Sequence, residues 1–455
     1  MTKLQSTSAV CAIILAAGRG TRMRSQRPKV LHEIAGRALV CHVLAALAEA
    51  GVDSSIVVVA EEAEAVRKAV EPHPVAVQQQ PRGTGDAVRS ALTQLTGHEQ
   101  DILVLFGADP LITADTITAM IQRRRQPDNP AVVVLGFRPE NPGSYGRLVT
   151  GDDGMLEGIV EAADATPAQA GIGLCNSGIM AIDASRIGPL IDRLQNNNVK
   201  NEFYLTDIIA LARADSLPCV WVEGRAEELA GVDTRADLAQ AEYLMQTRLR
   251  HRAMQGGATL IDPASTFFAC DTVIGEDVII GPNVVFGPGV TIADNVEIKA
   301  FCHIEGATIS DGAVIGPYAR LRPGARIGED ARIGNFVEIK NANIGDGVKA
   351  NHLTYIGDAD IGERSNIGAG TITCNYDGFL KSRTVIGTGA FIGSNTALVA
   401  PVKIGDGAII GAGSTIGKDV DADELAVTRA PQKTVKGWAR RFRADRQAKK
   451  DALKN

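Results

Sequence analysis

Along the second half of the chain an aliphatic residue followed by a small one recurs every six positions. The first run is Ile274, Ile280, Phe286, Ile292, Ile298 and Ile304. One residue is then dropped, and the count resumes at Ile309, Ile315, Leu321, Ile327, Ile333 and Ile339. It slips again to Ile344, and again to Ile361 and Ile367, before a last run through Ile386, Ile392, Leu398, Ile404, Ile410 and Ile416. Neither a helix nor an ordinary sheet has this period; it is the hexapeptide signature of a parallel β-helix. Three units make a triangular coil whose aliphatic residues point to the axis. Gly275, Gly316 and Gly393 are expected to turn the corners, where glycine tolerates unusual dihedrals. A single coil cannot bury its own core, and stacking at about 4.8 Å does so. The repeat breaks once, at residues 374–384, and an insertion in a solenoid becomes a loop on one face, often the binding face.

The first half follows a different rhythm. Residues 10–15 form a short apolar run, read as a buried parallel strand. The string Leu15-Ala16-Ala17-Gly18-Arg19-Gly20-Thr21-Arg22-Met23 follows at once. A glycine-rich turn after a first strand brings backbone N–H groups near a phosphate, and Arg22 and Lys29 add positive charge. Helical spacing covers 40–50 and 61–70, and strand patterns cover 55–60, 102–106 and 131–137. The alternation predicts an α/β, Rossmann-like domain with a mainly parallel sheet. Ligands in such sheets sit beyond the carboxyl ends of the strands, so the stretches after Leu15 and Phe106 share one rim. Gln78, Gly83, Thr84, Gly146, Glu161, Asn176 and Asp233 are further candidates on it, although each alone also reads as a solvated loop or turn residue. Residues 234–252 carry Leu238, Ala241, Leu244 and Met245 in helical rhythm, a connecting helix. The expected division is a domain at 1–235, a linker helix at 236–256 and a β-helix domain at 257–455. The β-helix is expected from near Ile261 to near Val420, with a basic tail from Lys433 that is partly disordered and either solvated or clasping a subunit.

The length of 455 residues fits two or three domains. Only 4% of residues are aromatic, which suits a solenoid packed with Ile and Val, and a net charge of −6 argues against a nucleic-acid partner. Seven cysteines without a C-x-x-C pair read as reduced thiols in a cytoplasm. The apolar run at 10–17 is too short for a membrane span or signal peptide, so a soluble cytoplasmic protein without a membrane partner is expected.

With Pro28-Lys29 added, the glycine-rich string resembles the sugar-1-phosphate nucleotidyltransferases. With the hexapeptide half attached, nearly the whole chain is similar to the bifunctional N-acetylglucosamine-1-phosphate uridyltransferase/glucosamine-1-phosphate acetyltransferase family. The resemblance implies that Leu15, Ala16, Ala17, Gly18, Gln78, Gly83 and Thr84 hold uridine and the sugar nucleotide. It places Gly146, Glu161 and Asn176 on the N-acetylglucosamine part, and Arg22 and Lys29 on the triphosphate of UTP. Mg²⁺ would bridge the phosphates while a sugar phosphate oxygen attacks the α-phosphorus and pyrophosphate leaves. The family has Asp where this chain has Ala108, with Asp109 next; it has Asn where this chain has Asp233; and it has Lys where this chain has Ala163, between Glu161 and Asp164. Asp233 and Asp109 are the expected metal ligands, because a carboxylate at 233 restores the charge that Ala108 lacks and Pro110 holds Asp109 extended at a loosened strand end.

In the β-helix half the resemblance implies an acetyltransferase site between neighbouring subunits of a homotrimer, on a left-handed coil. His352, whose ordinary pKa lies near neutrality, is the candidate general base that frees the sugar amine to attack a thioester. Glu338 would orient or charge-stabilise its imidazole. Arg322, Lys340 and Lys381 are cations suited to glucosamine 1-phosphate, and Tyr355, Asn366, Asn375 and Tyr376 would hold the sugar and the reaction geometry. Ala369, Ser394, Ala412 and Arg429, joined by Asn375 and Tyr376, fall where the family binds acetyl-CoA. The expected function is acetyl-CoA-dependent acetylation of glucosamine 1-phosphate, then transfer of uridyl from UTP to N-acetylglucosamine 1-phosphate. The alternatives are an acetyltransferase with a degenerate nucleotide domain, and a trimeric scaffold, against which the reactive cluster around His352 counts.

Overall fold

The computed structural model describes residues 9–453. They form two compact units: one extends to Arg252 and also takes in Phe267–Cys270, the other comprises Ala253–Thr266 and the chain from Asp271 onward.

The first unit is built on a sheet of strands β1 (Val10–Leu15), β2 (Ser54–Ala60), β3 (Val75–Gln78), β4 (Asp101–Phe106), β5 (Val132–Phe137), β6 (Arg147–Thr150), β7 (Leu156–Val160), β8 (Cys175–Asp183) and β9 (Cys219–Glu223). Their order is β9-β5-β8-β4-β1-β2-β3, with β6 and β7 as a hairpin attached through β8. β1 runs parallel to β2 and β4, and β9 to β5, while β8 is antiparallel to both its neighbours. The expected mainly parallel sheet is thus present with two reversed strands, β8 and the hairpin strand β7. Every residue of β1 is buried, as a strand covered on both faces requires. Ala12 and Ile14 pack with Val43 of the helix Leu39–Glu49 and Ile117 of Ala114–Arg124. Cys11 and Ile13 face the opposite layer, with Ala87 of Thr84–Leu92 and Ile208 of Ile208–Ala214. Leu15 and Phe106 are register partners, so the glycine-rich turn and the segment from Gly107 start side by side.

The connecting helix spans Arg235–Gln255 and packs with the first unit up to Arg252. Its Gln246 side chain donates to the Phe268 carbonyl at 2.7 Å and accepts from the Phe268 N–H at 2.8 Å, docking the 267–270 segment.

In the second unit short parallel strands stack into a coil. One face runs Ile280↔Ile298↔Ile315↔Ile333, all fully buried, each preceded in sequence by an outward residue. Where the hexapeptide count drops a residue the coil shortens by one and the axial residues still align: Ile298 meets Ile315, and Ile327 meets Ile344. The insertion leaves the coil between Cys374 and Thr384 and returns to pair Ala359 with Thr384. The first coil strand is Thr259–Leu260 and the last Leu425–Ala426, slightly beyond the limits of the repeat in sequence.

The corner expectation needs correcting. Gly316 has φ +88° and sits at a left-handed position, as do Gly289, Gly312 and Gly324, but many others are taken by residues such as Asp277, Asn283, Asn295, Phe301, Tyr318, Asp330 and Phe336. Gly275 and Gly393 are required by crowding, not by dihedral: a Cβ at Gly275 would lie 2.7 Å from the backbone carbon of Ala293, and one at Gly393 would collide with the Ala412 backbone. The tail, expected to be partly disordered, holds an exposed helix, Trp438–Ala452.

Candidate active sites

On the first unit, the turn after β1 and the end of β3 line a cavity of about 440 Å³ that includes Ala16, Ala17, Gly18 and Gln78. Gln78 is buried and donates to the Gly83 carbonyl at 3.1 Å and to Asp86 at 3.0 Å, fixing the loop that carries Gly83 and Thr84. Gly83, at φ +105°, lies so close to the Phe203 backbone that a Cβ would sit 2.7 Å from its carbonyl oxygen. The Thr84 hydroxyl accepts from Leu205 N–H at 3.0 Å. Gly146 and Asn176 meet through a 2.8 Å bond from Asn176 N–H, and the Asn176 amide oxygen accepts from Gly178 N–H at 2.9 Å. Glu161 follows β7 directly and accepts from the Thr206 hydroxyl at 3.2 Å. Burial pushes its carboxyl up, opposed by Thr206 and the charge of Lys200.

The charged centre of this unit is Asp233. Lys29 Nζ donates to one of its oxygens at 2.8 Å, and Arg22 meets the other at 2.9 Å. Burial opposes ionisation, but these two cations hold the carboxyl below its ordinary value. At the neighbouring strand end, Ala108 packs into the core, and Asp109 beside it is also buried. The Asp109 carboxylate lies against Gly231, where a Cβ would be 2.9 Å from its Oδ1. Burial pushes Asp109 up to about 7, Lys29 pulls it down and Asp233 pushes it further up. The two carboxylates and Lys29 therefore share one electrostatic pocket. No group of three or more His, Cys, Asp or Glu side chains suited to a metal occurs among the described residues. Two carboxylates fit Mg²⁺, a hard ion that uses one or two of them and completes its shell with substrate phosphates and water.

On the second unit the coil register decides which candidates meet. A side chain stands beside the residue one coil away, and His352 pairs with Asn335 while Tyr355 pairs with Glu338. The His352 Nδ1 is accordingly bonded to Asn335 Oδ1 at 2.8 Å. The expectation that Glu338 orients the imidazole does not match this geometry: Glu338 binds Arg322 at 2.8 Å and lies 3.8 Å from Arg320. The amide oxygen of Asn335 can only accept, so Nδ1 carries the proton and exposed Nε2 is the basic nitrogen.

Three cations converge nearby. The Lys340 ammonium is held below its ordinary value by its contact with Lys381, by that residue's charge and, more weakly, by Arg322. Such crowding is a natural place for a phosphate. Asp358 lies beneath: burial opposes its ionisation, yet Asn341, Asn375, Lys340 and Lys381 hold it ionised. Asn375 is buried with its amide on Asp358, whereas Tyr376 is exposed and bonds the Gly378 carbonyl. Ala369, Ser394, Ala412 and Arg429 stand in one column on successive coils: Asn395 N–H reaches Ala369 O at 2.7 Å, Gly413 N–H reaches Ser394 O at 2.8 Å, and the Arg429 stem passes over Gly413. Asn366 stands on another face, between Lys349 and Phe391.

Asn335 and Asp358 bond candidate site residues, and motif reading misses both. Both lie 17 positions before a candidate, His352 and Asn375, so subtracting one coil length from each candidate would have found them. Arg383, whose guanidinium clasps Asp360 at the end of the inserted loop, follows no such rule.

Comparison with known proteins matches both halves. The MobA-like NTP transferase domain model covers residues 12–240, and the bacterial transferase hexapeptide (six repeats) model covers 271–306, 306–341 and 383–418. The Bifunctional protein GlmU of Paramagnetospirillum magneticum is 57% identical over 98% of this chain and 99% of its own. That of Rhodospirillum rubrum is 58% identical over 95% and 97%, and that of Zymomonas mobilis 51% identical over 96% and 98%. With both halves matched at this identity along nearly the full length of each relative, the chain belongs to the bifunctional GlmU family.

Proposed function

We propose that the chain acetylates glucosamine 1-phosphate with acetyl-CoA and then couples the N-acetylglucosamine 1-phosphate so formed to UTP, giving UDP-N-acetylglucosamine and pyrophosphate. The observation that carries this reading is the near-full-length likeness to bifunctional relatives across both halves. No observation favours the narrower reading of an acetyltransferase with a degenerate nucleotide domain.

In the acetyl-transfer half, His352 Nε2 takes a proton from the sugar ammonium, the freed amine attacks the thioester carbonyl, and the C–S bond breaks, with CoA leaving as the thiol that carries the second proton shed by the nitrogen. Asn335 holds the ring in the tautomer that this needs. Arg322, Lys340 and Lys381 take the sugar phosphate, with Glu338 setting the Arg322 guanidinium and Tyr355 beside it. Tyr376 and the column from Ala369 to Arg429 would receive acetyl-CoA.

In the uridyl half, the turn at Leu15, Ala16, Ala17 and Gly18 with Gln78, Gly83 and Thr84 holds UTP, and Gly146, Glu161 and Asn176 hold the acceptor sugar. Arg22 and Lys29 leave Asp233 to meet the triphosphate, so the charge they neutralise passes from a carboxylate to the phosphates. Asp233 and Asp109 would hold Mg²⁺, which when bound supplies charge neutralisation on the phosphates.

We also propose a homotrimer. Phe301, Tyr318 and Phe336 form a stacked ladder with centroids 4.9 and 5.1 Å apart, and all three are exposed along one corner of the coil, a surface that a second subunit can cover. No helix among the described residues is long and apolar enough to cross a membrane, and all seven cysteines are free, which supports a cytoplasmic setting. The test is to supply purified protein with each half-reaction's substrates separately: glucosamine 1-phosphate with acetyl-CoA, then N-acetylglucosamine 1-phosphate with UTP and Mg²⁺. Activity in both is expected, and silence in the second would return the reading to an acetyltransferase alone.

A further inference from the structure

At the root of the inserted loop one corner of the coil carries a column of three polar residues. Asn341, Asp358 and Asn375 stand on successive coils, each 17 positions from the next. One coil earlier the corner holds Gly324, where a Cβ would meet the Asn341 Cα at 3.0 Å. Asn341 and Asp358 have φ +46° and +48°, a region that Asn and Asp enter more readily than other residues with a Cβ.

The Asp358 carboxylate lies between two amides. Asn341 donates to its Oδ1 at 2.6 Å, and Asn375 donates to its Oδ2. Asp358 and Asn375 are each 8% exposed, and Asp358 forms no ion pair among the described residues. An ionised carboxylate only accepts, so it suits a place between two NH₂ groups.

Asn375 is where the inserted loop leaves the coil. Its carbonyl accepts from Ser382 N–H at 2.9 Å, and Tyr376 and Lys381 pair as an antiparallel bridge just beyond. At the tip the Asp377 carboxylate accepts from the N–H groups of Phe379 and Leu380 at 2.8 and 2.7 Å. The loop is thus a closed hairpin, and its base is aimed by Asn375. Lys340 belongs to the coil itself, as the register partner of Gly357, one residue before Asp358.

We propose that Asp358 is a positioning residue for acetyl transfer: by gripping Asn375 it aims the loop hairpin, and so sets Lys381 beside Lys340 to take the sugar phosphate. This rests on the reading of Lys340 and Lys381 as glucosamine 1-phosphate residues. The Arg383–Asp360 clasp holds the far end of the same loop, so the hairpin is fixed at both roots.

The experiment is steady-state acetyl transfer by the full chain with Asp358→Gly, Asp358→Asn, Asn375→Ala, Asn341→Gly and Lys381→Met. Glycine at 341 or 358 keeps the positive φ without strain. Asp358→Gly is expected to raise KM for glucosamine 1-phosphate by about fivefold to tenfold, the scale of one hydrogen bond to a charged group. Its kcat at saturating substrate stays at the wild-type value. Asn375→Ala cuts only the loop's bond and must reproduce the rise in KM. Asp358→Asn keeps the shape and, with one neighbouring amide turned over, both bonds, so it restores most of the wild-type KM. Asn341→Gly cuts the other bond to the same carboxylate and leaves KM unchanged, whatever it does to the thermal midpoint. A KM raised equally by Asn341→Gly would overturn the inference, by showing a general loosening of the corner. So would Asp358→Asn as impaired as Asp358→Gly, by showing that charge and not the grip matters. Lys381→Met must itself raise this KM; if it does not, the phosphate reading falls. If it does, while Asp358→Gly and Asn375→Ala leave KM unchanged, the inference about Asp358 is overturned.

Discussion

At the scale of single residues, His352 and Asp233 are the candidates for the two chemistries, and each is held by a partner from another segment, Asn335 and Lys29. His352→Ala is expected to lower the acetyl-transfer rate by ~10²–10⁴-fold, the span of a general base. Asn335→Ala should lower it less, by freeing the ring to adopt the other tautomer, and Asn335→Asp should recover part of the loss. A coupled thiol-release assay measures all three, and an Asn335→Ala rate equal to wild type would remove its orienting role. For the metal, Asp233→Ala is expected to cut Mg²⁺-dependent pyrophosphate release by on the order of 10²-fold. Asp109→Asn should raise the Mg²⁺ concentration needed for half-maximal rate. If Asp109→Asn leaves the Mg²⁺ titration unchanged, Asp233 stands as the only protein ligand to defend.

At the scale of elements, the coil acts through contacts between neighbouring turns. Gly334 precedes Asn335, and a Cβ there would collide with the Asn351 backbone, one residue before His352. Gly334→Ala must push the two turns apart, at a cost of about 1–3 kcal/mol for overpacking, and should impair acetyl transfer by moving His352. Thermal unfolding and the thiol assay together check this; an unaltered midpoint would mean that the turns yield freely. The inserted loop has its own anchor. The Arg383 guanidinium holds Asp360 below the ordinary carboxylate range, with burial opposing and Asn343 assisting. A depressed carboxyl contributes stability above its unfolded value, and that contribution is lost as pH falls through the folded one. Asp360→Asn at neutral pH, and the wild type in acid below about pH 3.9, should therefore both loosen the loop that bears Lys381. Limited proteolysis between residues 376 and 381 reads this, at neutral pH for the variant and with an acid protease for the wild type. Equal cleavage of Asp360→Asn and wild type at neutral pH would show that the clasp does not hold the loop.

At the scale of the whole molecule, two chemistries reside on two compact units, and mutations at distant sites without shared partners act independently. His352→Ala should accordingly leave uridyl transfer near the wild-type rate, and loss of both activities in a folded variant would contradict the two-site arrangement. Sedimentation at micromolar concentration is expected to show a trimer; a stable monomer would leave the aromatic ladder at Phe301, Tyr318 and Phe336 without its partner.

Much of this molecule was legible in the order of its residues. The six-residue period placed Ile280, Ile298 and Ile315 on one axis, because burial of one aliphatic residue per unit is a local demand that every turn repeats. The parallel strands and the shared rim after Leu15 and Phe106 followed from apolar runs and glycine turns in the same way. Tertiary structure alone decided which side chains meet. Lys29 reaches Asp233 across 204 positions, and His352 takes Asn335 rather than Glu338 because strand register sets its neighbour. Ala108 packs into the core and Asp109 lies against Gly231, a placement that the path of one strand end decides. Core-facing patterns repeat along the chain and can be counted, whereas a site is assembled from contacts between distant segments, whose distances exist only once the backbone is folded.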